Sequence, residues 1–119
     1  MPFDGTGVSD TTALLIEAKE IIVRHGWRQR SRGNTETGFC VAGAIIYASG
    51  QPYELFQPSH PTTVVNRTIH NAMSVVERAI YKNDRQLGQH LAKWNDESGR
   101  TVDEVFAVFD EAISDSISS

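Results

Sequence analysis

The chain lacks the features that mark secreted and membrane-spanning proteins. Cys40 is its only cysteine among 119 residues, so no internal disulfide can form, as is usual for proteins of a reducing cytosol. The longest apolar run, from Phe39 to Ala48, is far shorter than the roughly 20 residues that cross a bilayer. The N-terminal residues have no basic stretch followed by an apolar one. We therefore expect a cytoplasmic protein with no signal peptide and no membrane contact.

Motifs for metals and cofactors are also missing from the sequence. Its four histidines include no pair at the three- or four-residue spacing that places two ligands on one helix face. One thiol cannot build a structural zinc site, and neither common glycine-rich phosphate motif is present. The sequence predicts no metal and no cofactor.

Charge is unevenly distributed along the chain. The net charge is −4, yet residues 24–35 contain four arginines and no acid, whereas residues 95–119 contain seven acids against Arg100. An extended nucleic-acid surface needs a broad basic face, so we expect none here. One local anion site is compatible with this distribution.

Hydrophobic periodicity predicts five helices in a single domain over residues 1–119. We expect helices over residues 9–25, 39–49, 63–82, 85–94 and 101–115. The apolar run from Phe39 to Ala48 has no polar side, which indicates a helix buried on all sides. A buried strand is the alternative, but alanine and glycine in its middle disfavour a strand. The predicted fold is all-α, a compact bundle of about five helices around this apolar segment.

The polar loop after the first helix contains the strongest candidate binding site. Arg28, Arg30 and Arg32, with Arg24 just before them, could hold a phosphate through their guanidinium groups. Trp27 could add a stacking surface. The alternative is a solvated loop whose arginines pair with the acidic residues of the last helix. A second loop, residues 50–62, contains three prolines, and its role is left open.

A second compact cluster consists of Trp94, Asn95, Asp96 and Arg100. We interpret it as a structural corner between two helices. Trp94 would anchor the end of the fourth helix, Asn95 tolerates a left-handed conformation, and Asp96 can pair with Arg100 across the turn. In the alternative interpretation, this cluster is a polar wall beside Cys40.

Cys40 is the one candidate nucleophile. It follows Gly38 and lies near the predicted start of a helix, where the helix dipole favours a thiolate. The candidate general bases are His60, His70 and His90. Asn95 or Asp96 would orient the base, as in cysteine hydrolases. No spacing selects one histidine, and free cysteines usually serve as small buried apolar residues.

Several motifs together resemble those of a family. They are Gly26-Trp27, Phe39-Cys40-Val41-Ala42-Gly43-Ala44, Trp94-Asn95-Asp96 with Arg100-Thr101, and Glu104-Val105. The pattern is similar to that of a group of small actinobacterial and actinophage proteins of unknown function. The likeness runs from Gly26 to Val105 and implies a bacterial accessory protein or a phage product, but no particular chemistry.

These observations lead to two hypotheses of function. The first is a non-catalytic binding module, a phage or accessory protein that binds a host protein or a small anionic ligand in an actinobacterial cytoplasm. The second is a cysteine-dependent hydrolase or transferase that uses Cys40 with a histidine base. A homo-oligomer and the identity of any partner are left open.

Overall fold

The structure, a computed structural model, describes residues 10–31, 33–50, 64–83 and 91–118. These residues form five helices and two short strands. In chain order they are α1 Asp10–His25, β1 Gly33–Asn34, β2 Gly38–Phe39, α2 Val41–Ala48, α3 Val64–Asn83, α4 Leu91–Asn95 and α5 Val102–Ser118. The predicted mostly helical fold with five helices is confirmed. Most of the proline-containing loop and the predicted start of the fourth helix lie outside the described residues.

Helix α1 contacts α2, α3 and α5, and its apolar stripe forms one wall of the core. The buried apolar residues of α1 are Leu14, Leu15, Ala18, Ile21 and Ile22, at the spacing of one helix face. Helices α3 and α5 complete the core with Ile69, Val76, Ile80, Val105 and Phe109. None of the described helices combines the length and hydrophobicity that a membrane crossing requires.

Helix α2 starts at Val41, so the prediction of a helix from residue 39 is wrong at that end. Phe39 lies in β2, and Cys40 is the N-cap, with an extended backbone at φ −75° and ψ 171°. The backbone N–H of Phe39 donates to the carbonyl of Gly26 (2.9 Å), and its carbonyl accepts from the N–H of Arg28 (3.1 Å). Because these bonds tie Phe39 to a distant segment, it stays extended and the helix begins later.

Helix α2 buries most of its residues, as its apolar composition suggests. Val41, Gly43, Ala44, Ile45 and Ile46 are buried. Tyr47 instead reaches the surface, and its ring lies against that of Phe39 at a centroid distance of 4.9 Å. The helix is therefore not shielded on every side.

A β-hairpin occupies part of the polar stretch that the sequence suggested would be irregular. Strands β1 and β2 pair antiparallel, with Gly33 opposite Phe39 and Asn34 opposite Gly38. The side-chain Oδ1 of Asn34 accepts from the backbone N–H groups of Glu36 (2.8 Å) and Thr37 (2.9 Å). This side chain closes the turn because it imitates a backbone acceptor.

Gly38 allows the hairpin to approach the end of α1. Its φ is +87°, and a Cβ at this position would lie 2.6 Å from the carbonyl oxygen of Gly26. Only glycine meets both the conformational and the steric demand.

We predict that Gly38→Ala destabilises the protein more than Gly99→Ala. Gly99 has a similar φ of +85°, but a Cβ there meets nothing within 4 Å. Gly99→Ala should therefore cost only the left-handed conformation, about 1–2 kcal/mol. Gly38→Ala should cost about 1–3 kcal/mol more, since backbone must shift. Urea unfolding of both variants measures this difference, and equal losses would contradict the close approach.

Candidate functional site

The buried side chain of Asn95 joins three segments of the chain. Asn95 is the last residue of α4 and is 1% exposed. Its Oδ1 accepts from the indole Nε1–H of Trp27 (2.7 Å) and from the backbone N–H of Val41 at the start of α2 (3.1 Å). Its Nδ2 donates to the carbonyl of Arg28 and to Oδ1 of Asp96, both at 3.1 Å. All four hydrogen-bonding positions of this buried amide are thus satisfied.

Neighbouring hydrogen bonds fix the backbone of the arginine-containing loop, residues 27–31. The side-chain Nε2 of Gln29 donates to the carbonyls of Asn95 (3.0 Å) and Glu97 (2.8 Å). The backbone N–H of Arg30 donates to Oδ1 of Asp96 (2.7 Å). These bonds attach the loop to the turn between α4 and α5, so the loop has one defined conformation.

Arg30 takes a backbone conformation that side-chain-bearing residues rarely adopt. Its φ is 70°, the only positive value among the described non-glycine residues. A left-handed conformation costs roughly 1–2 kcal/mol for a residue with a Cβ. Glycine or asparagine would relieve this cost, so the backbone alone does not explain an arginine at this position.

The arginine side chains of the loop have no acidic partners within the described structure. Arg28 is half-buried and Arg30 is exposed, and neither forms an ion pair with a described residue. Arg24 lies 3.8 Å from Glu17 on its own helix. Arg32 lies outside the described residues.

Three acids of α5 pair with lysines of other helices. Asp110 pairs with Lys19 (2.6 Å), whereas Glu111 and Asp115 both pair with Lys82. These acids of α5 therefore do not neutralise Arg28 and Arg30. The interpretation of the loop as the ion-pair partner of α5 is wrong for these two arginines, because α1 and α3 supply the lysines.

Trp94 and Arg100 form the structural corner, with one correction to the predicted pairing. Trp94 is buried, and the Arg100 guanidinium lies 4.1 Å from the centre of its ring. Arg100 Nε donates to the Trp94 carbonyl (3.0 Å), and Nη1 donates to Glu104 (3.1 Å). Arg100 does not pair with Asp96, since that carboxylate accepts from the loop. Nor is Asn95 left-handed, because it ends a helix.

Glu104 closes the start of α5 as a capping box. Its carboxylate accepts from the backbone N–H of Thr101 (2.9 Å), and the Thr101 hydroxyl accepts from the backbone N–H of Glu104 (3.3 Å). The hydrogen bond from the Thr101 backbone lowers the pKa of Glu104, and the nearby positive charge of Arg100 lowers it further.

Cys40 has a structural hydrogen bond at the start of α2. Its side chain is the N-cap acceptor for the backbone N–H of Gly43, at an Sγ to N distance of 3.2 Å. Cys40 is 8% exposed. Of the candidate bases, His70 lies half-buried on α3, whereas His60 and His90 lie outside the described residues. No described group of three or more metal-ligating side chains has the geometry to hold a metal ion.

Comparison with protein families identifies the family of the chain. A family model described as a family of unknown function, DUF6197, matches residues 8–115. The chain belongs to this family. Comparison with curated proteins and with solved structures gives no match. The matched residues of this DUF6197 protein include the whole arginine loop, Asn95 and the corner around Trp94.

Sequence reasoning missed the connection between the loop and the corner. The sequence analysis assigned Trp27 to the arginine loop and Asn95 to the corner, and it did not include Gln29 in either. One signal was available, because a buried indole N–H requires an acceptor. Nothing local indicated which acceptor, since the two residues are 68 positions apart.

We predict that Asn95→Ala lowers the free energy of unfolding by about 2–4 kcal/mol. The substitution leaves the Trp27 indole, the Val41 amide and the Arg28 carbonyl without their shared partner, and each buried unpaired group is costly. Asn34→Ala is the matched control, because that asparagine amide also makes several hydrogen bonds but is exposed. Chemical denaturation of both variants measures the effect, and equal losses would show that burial of Asn95 is unimportant.

We predict that Glu104→Gln reduces the loss of stability in acid. Because the pKa of Glu104 is lowered in the folded protein, its ionised form adds stability above its unfolded pKa. That contribution disappears as the pH falls through the folded pKa. Between about pH 6 and about pH 3, the wild type should therefore lose more stability than Glu104→Gln. If the melting temperatures of the wild type and Glu104→Gln changed with pH by the same amount, this contribution of the Glu104 carboxylate would be disproved.

Proposed function

We propose that this protein is a non-catalytic binding module whose arginine loop, residues 27–31, binds an acidic partner. The observation that supports the proposal most directly is the combination of a fixed backbone with unneutralised side chains. The backbone of the loop bonds to the side chains of Asn95 and Asp96, and the side chain of Gln29 attaches the loop to the carbonyl of Glu97. Arg28 and Arg30 have no acidic partner among the described residues.

A preorganised loop suits binding because it lowers the entropy cost of association. The loop also contains the densest positive charge of an otherwise acidic sequence, and a local positive field attracts acidic partners. The left-handed conformation of Arg30 supports a role for its side chain, since glycine would suit the backbone better. The natural partner in this proposal is an acidic surface of a host protein, and a small anion is the alternative ligand.

The proposed setting is the cytoplasm of an actinobacterial cell, where the protein would act as a phage product or an accessory factor. This setting rests on the resemblance of the Gly26-Trp27 and Trp94-Asn95-Asp96 motifs to those of actinobacterial and actinophage proteins. The alternative function is that of a cysteine-dependent enzyme. It requires a reactive Cys40, whereas this residue is buried and its Sγ caps α2, a position typical of a structural cysteine.

We predict that replacing the loop arginines weakens binding to anionic probes and leaves the fold intact. The variant combines Arg28→Ala and Arg30→Gly in the loop with Arg32→Ala immediately after it in the sequence, with glycine chosen to suit the φ of residue 30. Arg28 and Arg30 form no ion pair with a described residue, and glycine suits the left-handed backbone of residue 30, so the melting temperature should not fall far below that of the wild type. Its affinity for an octaglutamate peptide should fall at least about tenfold, which corresponds to about 1.4 kcal/mol. Isothermal titration at two salt concentrations measures both the affinity and its expected decrease with salt.

Two control variants separate the hypotheses. Arg24→Ala removes an arginine that already lies near Glu17, and Cys40→Ala removes the thiol; both should bind octaglutamate like the wild type. Inorganic pyrophosphate, titrated in parallel, distinguishes a small-anion site from a protein surface. If the loop variant binds like the wild type and Cys40→Ala abolishes a hydrolytic activity, the binding module is wrong and the enzyme is supported.

A further inference from the structure

A small cavity lies between α3, α4 and α5. Its volume is about 260 Å³, which equals the share of about nine water molecules in the liquid, at roughly 30 Å³ each. Pockets for drug-sized ligands are larger, so this cavity suits a ligand of about nine non-hydrogen atoms. Its apolar lining consists of Ile80, Trp94, Ala107 and Val108.

Helix α5 forms one wall of this cavity with residues that share a single helix face. The α5 residues that line it are Glu104, Ala107, Val108 and Glu111. Intervals of three and four residues place side chains on one side of a helix, so the apolar pair lies between two carboxylates. Glu111 already pairs with Lys82 (3.1 Å), so the negative charge at that end of the cavity has a partner.

Arg100 and Glu104 form an ion pair at the other end of the cavity, and each has hydrogen-bonding capacity left over. Arg100 Nε donates to the Trp94 carbonyl and Nη1 donates to Glu104 Oε2, whereas Nη2 has no hydrogen-bond partner within the described part of the chain. Each carboxylate oxygen has about two acceptor sites. Glu104 Oε1 accepts from the backbone N–H and the hydroxyl of Thr101, so one acceptor site stays open on Oε2.

The unused donors of Arg100 belong to a deeply buried side chain. Its exposed fraction is 10%, and its guanidinium lies 4.1 Å from the centre of the Trp94 ring. Buried polar groups normally have hydrogen-bond partners. Because Arg100 lines the cavity, a ligand inside it can supply the missing acceptor.

We propose that this cavity binds a zwitterionic aliphatic α-amino acid of about the size of leucine. The ligand carboxylate accepts from Arg100 Nη2, its ammonium group donates to Glu104 Oε2, and its side chain packs against Ala107 and Val108. The two charges of an α-amino acid are adjacent, as are those of the ion pair, whose Nη1 and Oε2 lie 3.1 Å apart. A ligand of one charge gains one of these hydrogen bonds and meets a like charge beside it, whereas a zwitterion gains both.

This site is separate from the arginine loop, because none of residues 27–31 lines the cavity. The proposal therefore does not depend on the proposed function. If the loop fails to bind octaglutamate, the amino-acid site is unaffected, and if leucine fails to bind, the proposed function of the loop still stands.

The test compares leucine with probes that each lack one of its groups. The probes are 4-methylpentanoate, without the ammonium group; isopentylamine, without the carboxylate; and glycine, without the side chain. Each is titrated at neutral pH into the intact chain and followed by ¹⁵N NMR. Leucine should shift the amide signals of Arg100, Glu104 and Val108. It should bind at least about tenfold more tightly than each probe, as expected for one charge-assisted hydrogen bond or one buried aliphatic group.

Filling the cavity assigns the binding to it. Ala107→Leu places a larger side chain in the lining and should abolish the binding of leucine. Ala107 is exposed on α5 and leucine is a good helix former, so the variant should fold. Ser114→Leu is the control, because it adds the same side chain at an exposed position of α5 that does not line the cavity. It should bind leucine like the wild type.

Glu104→Gln tests the contact with the ammonium group and keeps the shape of the side chain. It should bring the affinities for leucine and 4-methylpentanoate within about threefold of each other, because the ammonium group no longer meets a carboxylate. A loss of stability alone would weaken the binding of both compounds equally. The ratio of the two affinities therefore separates recognition from folding.

Several results would overturn the proposal. One is the absence of shifts at Arg100, Glu104 and Val108 at any soluble concentration of leucine. Another is equal affinity of the wild type for leucine and for either singly charged probe. A third is leucine binding by Ala107→Leu that matches the wild type. Tighter binding of lysine than of leucine would also contradict it, since the cavity would then take a basic side chain that reaches Glu111.

Discussion

The buried amide of Asn95 is the constraint on which the candidate site depends. A primary amide without hydrogen-bond partners is costly inside a protein, and here the polar groups of Asn95 are satisfied by Trp27, Val41, Arg28 and Asp96. The bonds to Trp27, Arg28 and Val41 link α4 to segments that are distant in sequence. One side chain therefore holds together the first amide of α2, the Arg28 carbonyl of the arginine loop and the Trp27 ring.

This arrangement places two surfaces of different chemistry near one another. The arginine loop presents the positive charge of Arg28 and Arg30, whereas a cleft between α1 and α5 is lined by apolar residues and Gly26. Trp27 contributes to both, because its N–H binds Asn95 and its ring forms part of the cleft wall. In the proposed function, the arginine loop contacts the acidic partner, and Trp27 anchors that loop to the core.

The helices could be predicted because their signals are local. The apolar spacing of Leu14, Ala18 and Ile22 predicts a helix without knowledge of the rest of the chain, and the Thr101–Glu104 capping box marks the start of α5. The start of α2 was misplaced because the hydrogen bonds of Phe39 come from Gly26 and Arg28, a contact between distant segments.

The candidate site was predictable only in part, for the same reason. The arginines and the corner residues stand out in the sequence, but their connection through Asn95 spans more than 60 positions. The ion pairs of α5 were misassigned to the loop because composition alone does not identify which cation is nearest; the structure places Lys19 and Lys82 there. The cleft left no sequence signal, since it arises from the crossing of two helices.

Amide hydrogen exchange in the wild type and in Asn95→Ala tests the central claim most directly. If Asn95 fixes the loop, the amide of Arg30, which donates to Asp96, and that of Arg28, which donates to Phe39, should exchange at least about tenfold faster in the variant beyond any change shared by α1 and α5. The amide of Val41 should follow them. Uniform acceleration across all elements, or an unchanged loop, would contradict the claim.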